Sequence, residues 1–130
     1  MATYLDTSAI VKLAVREPES TALRQYLRRR RPLVSSALAR TEVLRALLSA
    51  GDDAVAAGRT VLTRLELVRI DNRILEAAAI LRPAYVRSLD AIHLATAQRL
   101  GQDLGALVTY DDRMTEAARH LGYRAVSPTS

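Results

Sequence analysis
Short runs of strand-forming residues alternate with helical stretches along the whole chain, and no other feature of the sequence limits the fold as tightly. The runs fall at 3–5, 33–35, 67–70, 106–109 and 123–126, and Leu, Val, Ile, Thr and Tyr recur in them. Helical patterns lie between: 9–14, a stretch with Leu23, Tyr26 and Leu27 at i, i+3 and i+4, then 37–50, 54–65, 72–81, 88–100 and 111–121. Pro18, Ser36, Asp71 and Ser88 supply starts, with Ser36, Asp71 and Ser88 as N-caps. Pro32, Gly51, Pro83 and Gly122 supply stops, and the tail Pro128-Thr129-Ser130 is expected to fray. Strands joined through helices by short connections make a parallel sheet with helices on both faces. The expected class is α/β, in one domain spanning 1–130.

Composition narrows the setting. The chain has no cysteine, which excludes disulfides and thiolate metal sites. No apolar run is long enough for a membrane span and no leader is evident, so a cytoplasmic protein with no membrane contact is expected. Nineteen Lys and Arg stand against fourteen Asp and Glu, a net charge of +5, and eighteen of the nineteen cations are arginine. A basic, arginine-rich surface suits a polyanion such as nucleic acid. A GC-rich genome also writes Arg-rich, Lys-poor chains, so the charge supports that partner without establishing it. The run Arg28-Arg29-Arg30-Arg31 closes a helix, where cations complement the dipole.

Four acids return to one edge of such a sheet. Asp6 follows the first strand and Asp111 follows the strand at 106–109. Asp90 sits in the first turn of its helix. Glu42 lies a turn and a half into the helix after the second strand, beside apolar Leu38, Val43 and Leu44. Open α/β sheets bind ligands at the carboxyl ends of their strands. Each acid also has an ordinary reading: Asp6 and Asp111 as N-caps, Asp90 as a dipole partner, Glu42 paired with Arg40 or Arg45. Together they make a stronger case, because repelling carboxylates need a hard cation or protons among them. All-oxygen ligands favour Mg²⁺ or Mn²⁺, and such a centre suits phosphodiester hydrolysis. Asp6 and Asp90 are the leading metal ligands. Glu42 and Asp111 complete the cluster directly or through waters, with Glu42 also placed to orient the attacking water. The hydroxyls of Thr7, Ser8 and Thr109, together with Asp112, are the supporting groups expected around them.

Other chemistries fit less well. His93 follows Asp90 at i+3 but lies among Ile92, Leu94 and Ala95, which favours a structural role. His120 falls in a last helical turn. No nucleophile triad or glycine-rich phosphate loop can be assembled. An aspartyl-phosphate enzyme of the haloacid-dehalogenase kind needs a second acid two residues after Asp6, and Ser8 stands there. A non-catalytic nucleic-acid-binding or interaction domain with a vestigial acidic pocket is the remaining alternative.

The blocks Y-L-D-T-S-A-I-V-K-L at 4–13, T-E-V at 41–43, S-L-D-A-I-H-L-A-T-A at 88–97 and L-V-T-Y-D-D-R-M at 107–114 resemble PIN-domain ribonucleases of the VapC toxin type. These are the toxin half of type II toxin–antitoxin pairs, and the resemblance covers essentially the whole chain. It implies a three-layer fold with a five-stranded parallel sheet in the order 3-2-1-4-5. It also implies Mg²⁺- or Mn²⁺-dependent endonucleolytic cleavage of RNA. Asp6 and Asp90 match the metal-ligand aspartates, Glu42 the glutamate of the family motif, and Asp111 the fourth acid. Any extra ligand must come from the 111–112 pair. The histidine matching His93 is not a ligand in the family. Members are commonly homodimers, forming heterotetramers or larger assemblies with a VapB-type antitoxin that blocks the pocket.

Overall fold
The computed structural model describes residues 1–129. Five parallel strands, β1 (Ala2–Leu5), β2 (Leu33–Ser36), β3 (Glu66–Val68), β4 (Leu104–Val108) and β5 (Ala125–Val126), form one sheet in the order β3-β2-β1-β4-β5. Seven α-helices connect them: α1 (Thr7–Ala14), α2 (Ser20–Leu27), α3 (Ala39–Leu47), α4 (Asp52–Thr63), α5 (Asn72–Ala79), α6 (Ser88–Gln98) and α7 (Asp112–His120). The α/β class, the parallel sheet and the strand order are as expected. Among the described residues no helix is long and apolar enough to cross a membrane.

Side chains alternate across a strand, so each central strand feeds two cores. Leu5 and Val108 join Ile10, Leu23, Val43 and Leu62 on one face, beneath α1 to α4. Tyr4 and Leu107 join Leu94, Met114 and Ala117 on the other, beneath α6 and α7. Every residue of β1 is buried, as a strand covered on both faces requires. Helix α6 lies flush on the sheet because Ala91, Ala95 and Ala97 keep its inner surface low.

Several boundaries differ from expectation. Ser36 does not cap α3: Ala37 N–H is still bonded to Val68, and Ser36 Oγ accepts from Leu38 N–H, so the helix begins at Ala39. It ends at Leu47, and 48–50 tighten into a 3₁₀ turn. Gly51, at φ +100°, turns the chain so sharply that α4 begins at Asp52. Strand β3 stops at Val68 because its partner β2 runs out at Ser36. Ser88 is the first residue of α6, with Arg87 as the extended cap. Pro128 is tied by its carbonyl to Tyr110 Oη at 2.8 Å rather than frayed, while Ser130 lies outside the described residues.

Helix α3 is seated against α4 at Gly58, where an added Cβ would come within 2.6 Å of Leu47 Cδ1. Leu47 is buried and has little room to give. Gly58→Val should therefore lower stability by about 1–3 kcal/mol, read from the urea midpoint. An unchanged midpoint would contradict this close α3–α4 packing.

Candidate metal centre
The chain runs outward from β1 through β2 to β3, then returns to β4 and β5 on the other side of β1. The reversal between β1 and β4 is where open α/β sheets leave a ligand crevice. Asp6 and Asp111 flank it, each just beyond the strand it follows.

The strand register sets the first contacts. Leu5 pairs with Val108, so Asp6 and Thr109 emerge side by side. Thr109 Oγ1 donates to Asp6 Oδ2 at 2.5 Å. Ser8 Oγ and Ala9 N–H donate to Asp6 Oδ1 at 2.6 and 3.1 Å. Asp6 is therefore both the N-cap of α1 and the buried anion of the cleft. Burial pushes its pKa above the usual carboxylate value, against the pull of these three donors. The same two hydroxyls tie down the β4–α7 loop: Ser8 Oγ accepts from Tyr110 N–H and Thr109 Oγ1 from Asp111 N–H.

Glu42 borders the buried stripe of α3 formed by Ala39, Val43 and Leu47. Its partner is neither Arg40 nor Arg45. Thr7 Oγ1 donates to Glu42 Oε1 at 2.6 Å, and His93 Nε2 lies at 2.6 Å from the same oxygen. Burial alone would raise the pKa of Glu42, but the bonds from His93 and Thr7 bring it below the usual value. Asp90, in the first turn of α6, makes no hydrogen bond to another side chain among the described residues. Its pKa is raised by burial first, then by Asp111, with Asp6 and Glu42 adding to the effect against an opposing pull from His93. Each of the other three acids is thus felt at Asp90. Asp111 caps α7, its Oδ1 accepting from Arg113 and Met114 N–H.

These four acids line one open cleft of about 480 Å³, with Glu17, His93 and Lys12 also on its wall. Lys12 does not neutralise them, since its Nζ lies 2.8 Å from Glu19 and 3.6 Å from Glu17. Asp112, expected as a supporting group, is exposed in α7 and does not line the cleft. A helix turns its side chains by about 100° per residue, which carries Asp112 away from the face of Asp111. Three groups that pattern reading missed also belong here. Tyr4 was only a strand former, and its hydroxyl in a fully buried strand was the signal that it needs a partner. His93 reads as structural from its apolar neighbours, and its hydrogen bond to Glu42 is set by tertiary packing. Lys12 is the single lysine of the chain, one helical turn beyond Ser8.

Among the described residues, no three acid or imidazole groups stand close enough together to hold a metal ion as they are. Both oxygens of Asp6, one of Glu42 and one of Asp111 are engaged by donors. The donor set still fits a hard divalent cation. It is all oxygen, its anions repel, and Asp90 and Glu42 Oε2 carry no protein donor among the described contacts.

Comparison with known proteins places this geometry among described families. The PIN-domain family profile matches residues 3–120. Ribonuclease VapC46 of Mycobacterium tuberculosis is 64% identical over 128 residues, covering 98% of each chain. Ribonuclease VapC35 of the same species is 46% identical over 129 residues, covering 96% of each. Among solved structures, a toxin–antitoxin complex from Klebsiella pneumoniae matches with TM-score 0.74 and 25% identity, covering 98% of each chain. M. tuberculosis VapC20, described as a sarcin–ricin loop cleaving toxin, shares the fold with TM-score 0.76 at 16% identity, over 97% of this chain and 99% of that one.

The raised pKa of Asp90 means that burial and the neighbouring carboxylates disfavour its charged form. Asp90→Asn should therefore melt no lower than the unsubstituted protein in EDTA. Millimolar Mn²⁺ should raise the Tm of the unsubstituted chain by several degrees, and the substitution should remove most of that rise. Calorimetry showing a lower melting point in EDTA, or an undiminished Mn²⁺ shift, would contradict this reading.

Proposed function
We propose, from the premise that this chain belongs to the PIN-domain family and to its VapC-type ribonucleases, that the four-acid cleft is the site where it cuts RNA. The protein is a metal-dependent ribonuclease and the toxin component of a toxin–antitoxin pair. The observation that carries the site assignment is that Asp6, Glu42, Asp90 and Asp111, drawn from four separate parts of the chain, all line one cleft at the β1–β4 reversal.

PIN-domain ribonucleases use divalent metal ions, and Mg²⁺ or Mn²⁺ is the proposed cofactor here. Asp90 and Asp6 would hold it, with Asp111 and the free oxygen of Glu42 as the remaining ligands or as acceptors for its waters. A divalent ion in such a site supplies positive charge against the scissile phosphate and makes a bound water more acidic. The protein's own groups do the rest. Thr109 and Ser8 keep the Asp6 carboxylate fixed, so little reorganisation is needed when substrate arrives. Glu42 Oε2 orients the attacking water and accepts its proton as the new P–O bond forms. The departing ribose oxygen takes its proton from solvent at the open mouth of the cleft. Arg87 and Arg113, which line an adjoining pocket with Asp90, would bind backbone phosphates of the RNA.

The partner of such a toxin is a cognate antitoxin. We assign its action to occlusion of the acidic cleft, by a basic side chain that complements the four carboxylates. The working unit is a single domain spanning 1–130, acting as a homodimer and joining the antitoxin as a heterotetramer or larger. Its place of action is the cytoplasm, where both RNA and antitoxin are made.

The test is cleavage of an RNA substrate by the purified protein. Asp6→Asn and Asp90→Asn should each lower the rate by about 100-fold or more while retaining the native circular dichroism spectrum. EDTA should stop cleavage, and Mg²⁺ or Mn²⁺ should restore it. Undiminished activity in either variant, prepared in parallel to exclude contaminating nuclease, would remove the assignment. A wild-type protein that binds RNA but never cuts it would favour the non-catalytic alternative.

A further inference from the structure
A buried hydrogen-bond chain leads from the middle of the sheet to one carboxylate oxygen of Glu42, Oε1. Tyr4 Oη lies 2.7 Å from His93 Nδ1, and His93 Nε2 lies 2.6 Å from Glu42 Oε1. Tyr4 and His93 are both essentially inaccessible to solvent, and their rings meet edge to face at 5.9 Å. A carboxylate oxygen only accepts, so the proton on Nε2 must point at Glu42. In the neutral ring this leaves Nδ1 as the acceptor, and the Tyr4 hydroxyl is the donor that fills it. Glu42 as acceptor and Tyr4 as donor together fix the tautomer, and the ring held between them limits where the Glu42 carboxylate can rest.

The second observation is which oxygen is held. Thr7 Oγ1 and His93 Nε2 both converge on Oε1. Oε2 keeps no protein donor among the described contacts, and Glu42 and His93 lie on the wall of the same cleft as Asp90. Three donors and acceptors, drawn from β1, α1 and α6, thus fix one carboxylate on a fourth element, α3. Core packing would require none of this directionality. A leucine or phenylalanine in place of His93 would fill the same space.

We propose that His93, oriented by Tyr4, is a positioning residue that pins Glu42 Oε1 and so presents Oε2 to the cation and the attacking water. The role rests on the metal-centre reading above. Groups of this kind, which orient a ligand without touching the ion, typically change metal affinity or activity by about 10–100-fold when removed.

The test compares His93→Leu with His93→Gln, whose side-chain amide retains an N–H donor of similar reach, and with Tyr4→Phe. Mn²⁺ affinity is measured by titration calorimetry, and RNA cleavage separately. His93→Leu should weaken Mn²⁺ binding by about 10-fold or more and lower kcat with KM little changed. His93→Gln should recover much of both, and Tyr4→Phe should fall between. Wild type that binds no Mn²⁺ would defeat the metal-centre reading itself. Wild type that binds it, with His93→Leu binding and cutting equally well, would defeat the positioning role alone. A second measurement covers a His93 variant that fails to fold. Imidazole ¹⁵N NMR of the otherwise unsubstituted, metal-free protein, at a pH where the ring is neutral, should find Nε2 protonated and Nδ1 bare. Its Nε2–H resonance should move when Glu42→Ala removes the acceptor. The opposite tautomer, or a resonance indifferent to Glu42→Ala, overturns the proposal.

Discussion
The bond from Thr109 to Asp6 joins the two strands between which the chain reverses, and the geometry of the cleft is registered from it. It exists because β1 and β4 are parallel neighbours with Leu5 opposite Val108, so the first residue after each strand meets its counterpart. Thr109 Oγ1 also accepts from Asp111 N–H, and Ser8 Oγ bridges Asp6 and Tyr110 N–H. Two hydroxyls therefore fix one carboxylate and aim the loop that carries another. A one-residue slip of β4 would turn Thr109 to the opposite face, and a slip of β1 would do the same to Asp6, separating these groups.

Charge explains why the acids are held individually. Asp6, Glu42, Asp90 and Asp111 repel across one cleft, and the pKa of Asp90, raised first by burial, also records the other three. Hydrogen bonds keep Asp6, Glu42 and Asp111 in place without neutralising them. The arrangement is costly to an isolated chain and favourable once positive charge enters. In the proposed function that charge would come from a divalent ion during catalysis or from a basic antitoxin side chain during inhibition. One electrostatic feature would then serve both activity and its control.

The fold was legible where it depended on local pattern. The alternation of strands and helices led directly to the parallel sheet, and Asp6 and Asp111 could be placed because each follows its own strand. Boundaries failed where tertiary pairing decided them. Arg69 and Ile70 look like strand residues but have no partner once β2 ends at Ser36. Ser36 looks like a cap, yet its neighbour Ala37 remains bonded to Val68. The site was harder still. Glu42 was offered two arginines on its own helix and took His93, 51 residues away, a contact that only the packing of α3 and α6 against the same strand end creates. Asp112 shares composition and neighbourhood with Asp111 but faces away from the cleft, a distinction of helical phase.

The central claim is that these four acids form one divalent-metal centre. Crystals soaked in Mn²⁺ and measured at the manganese absorption edge test it most directly. An anomalous peak at ligating distance from carboxylate oxygens of both Asp6 and Asp90, lost in Asp90→Asn crystals, is the predicted result. A peak outside the cleft, or none while the same crystals cleave soaked RNA, would contradict it.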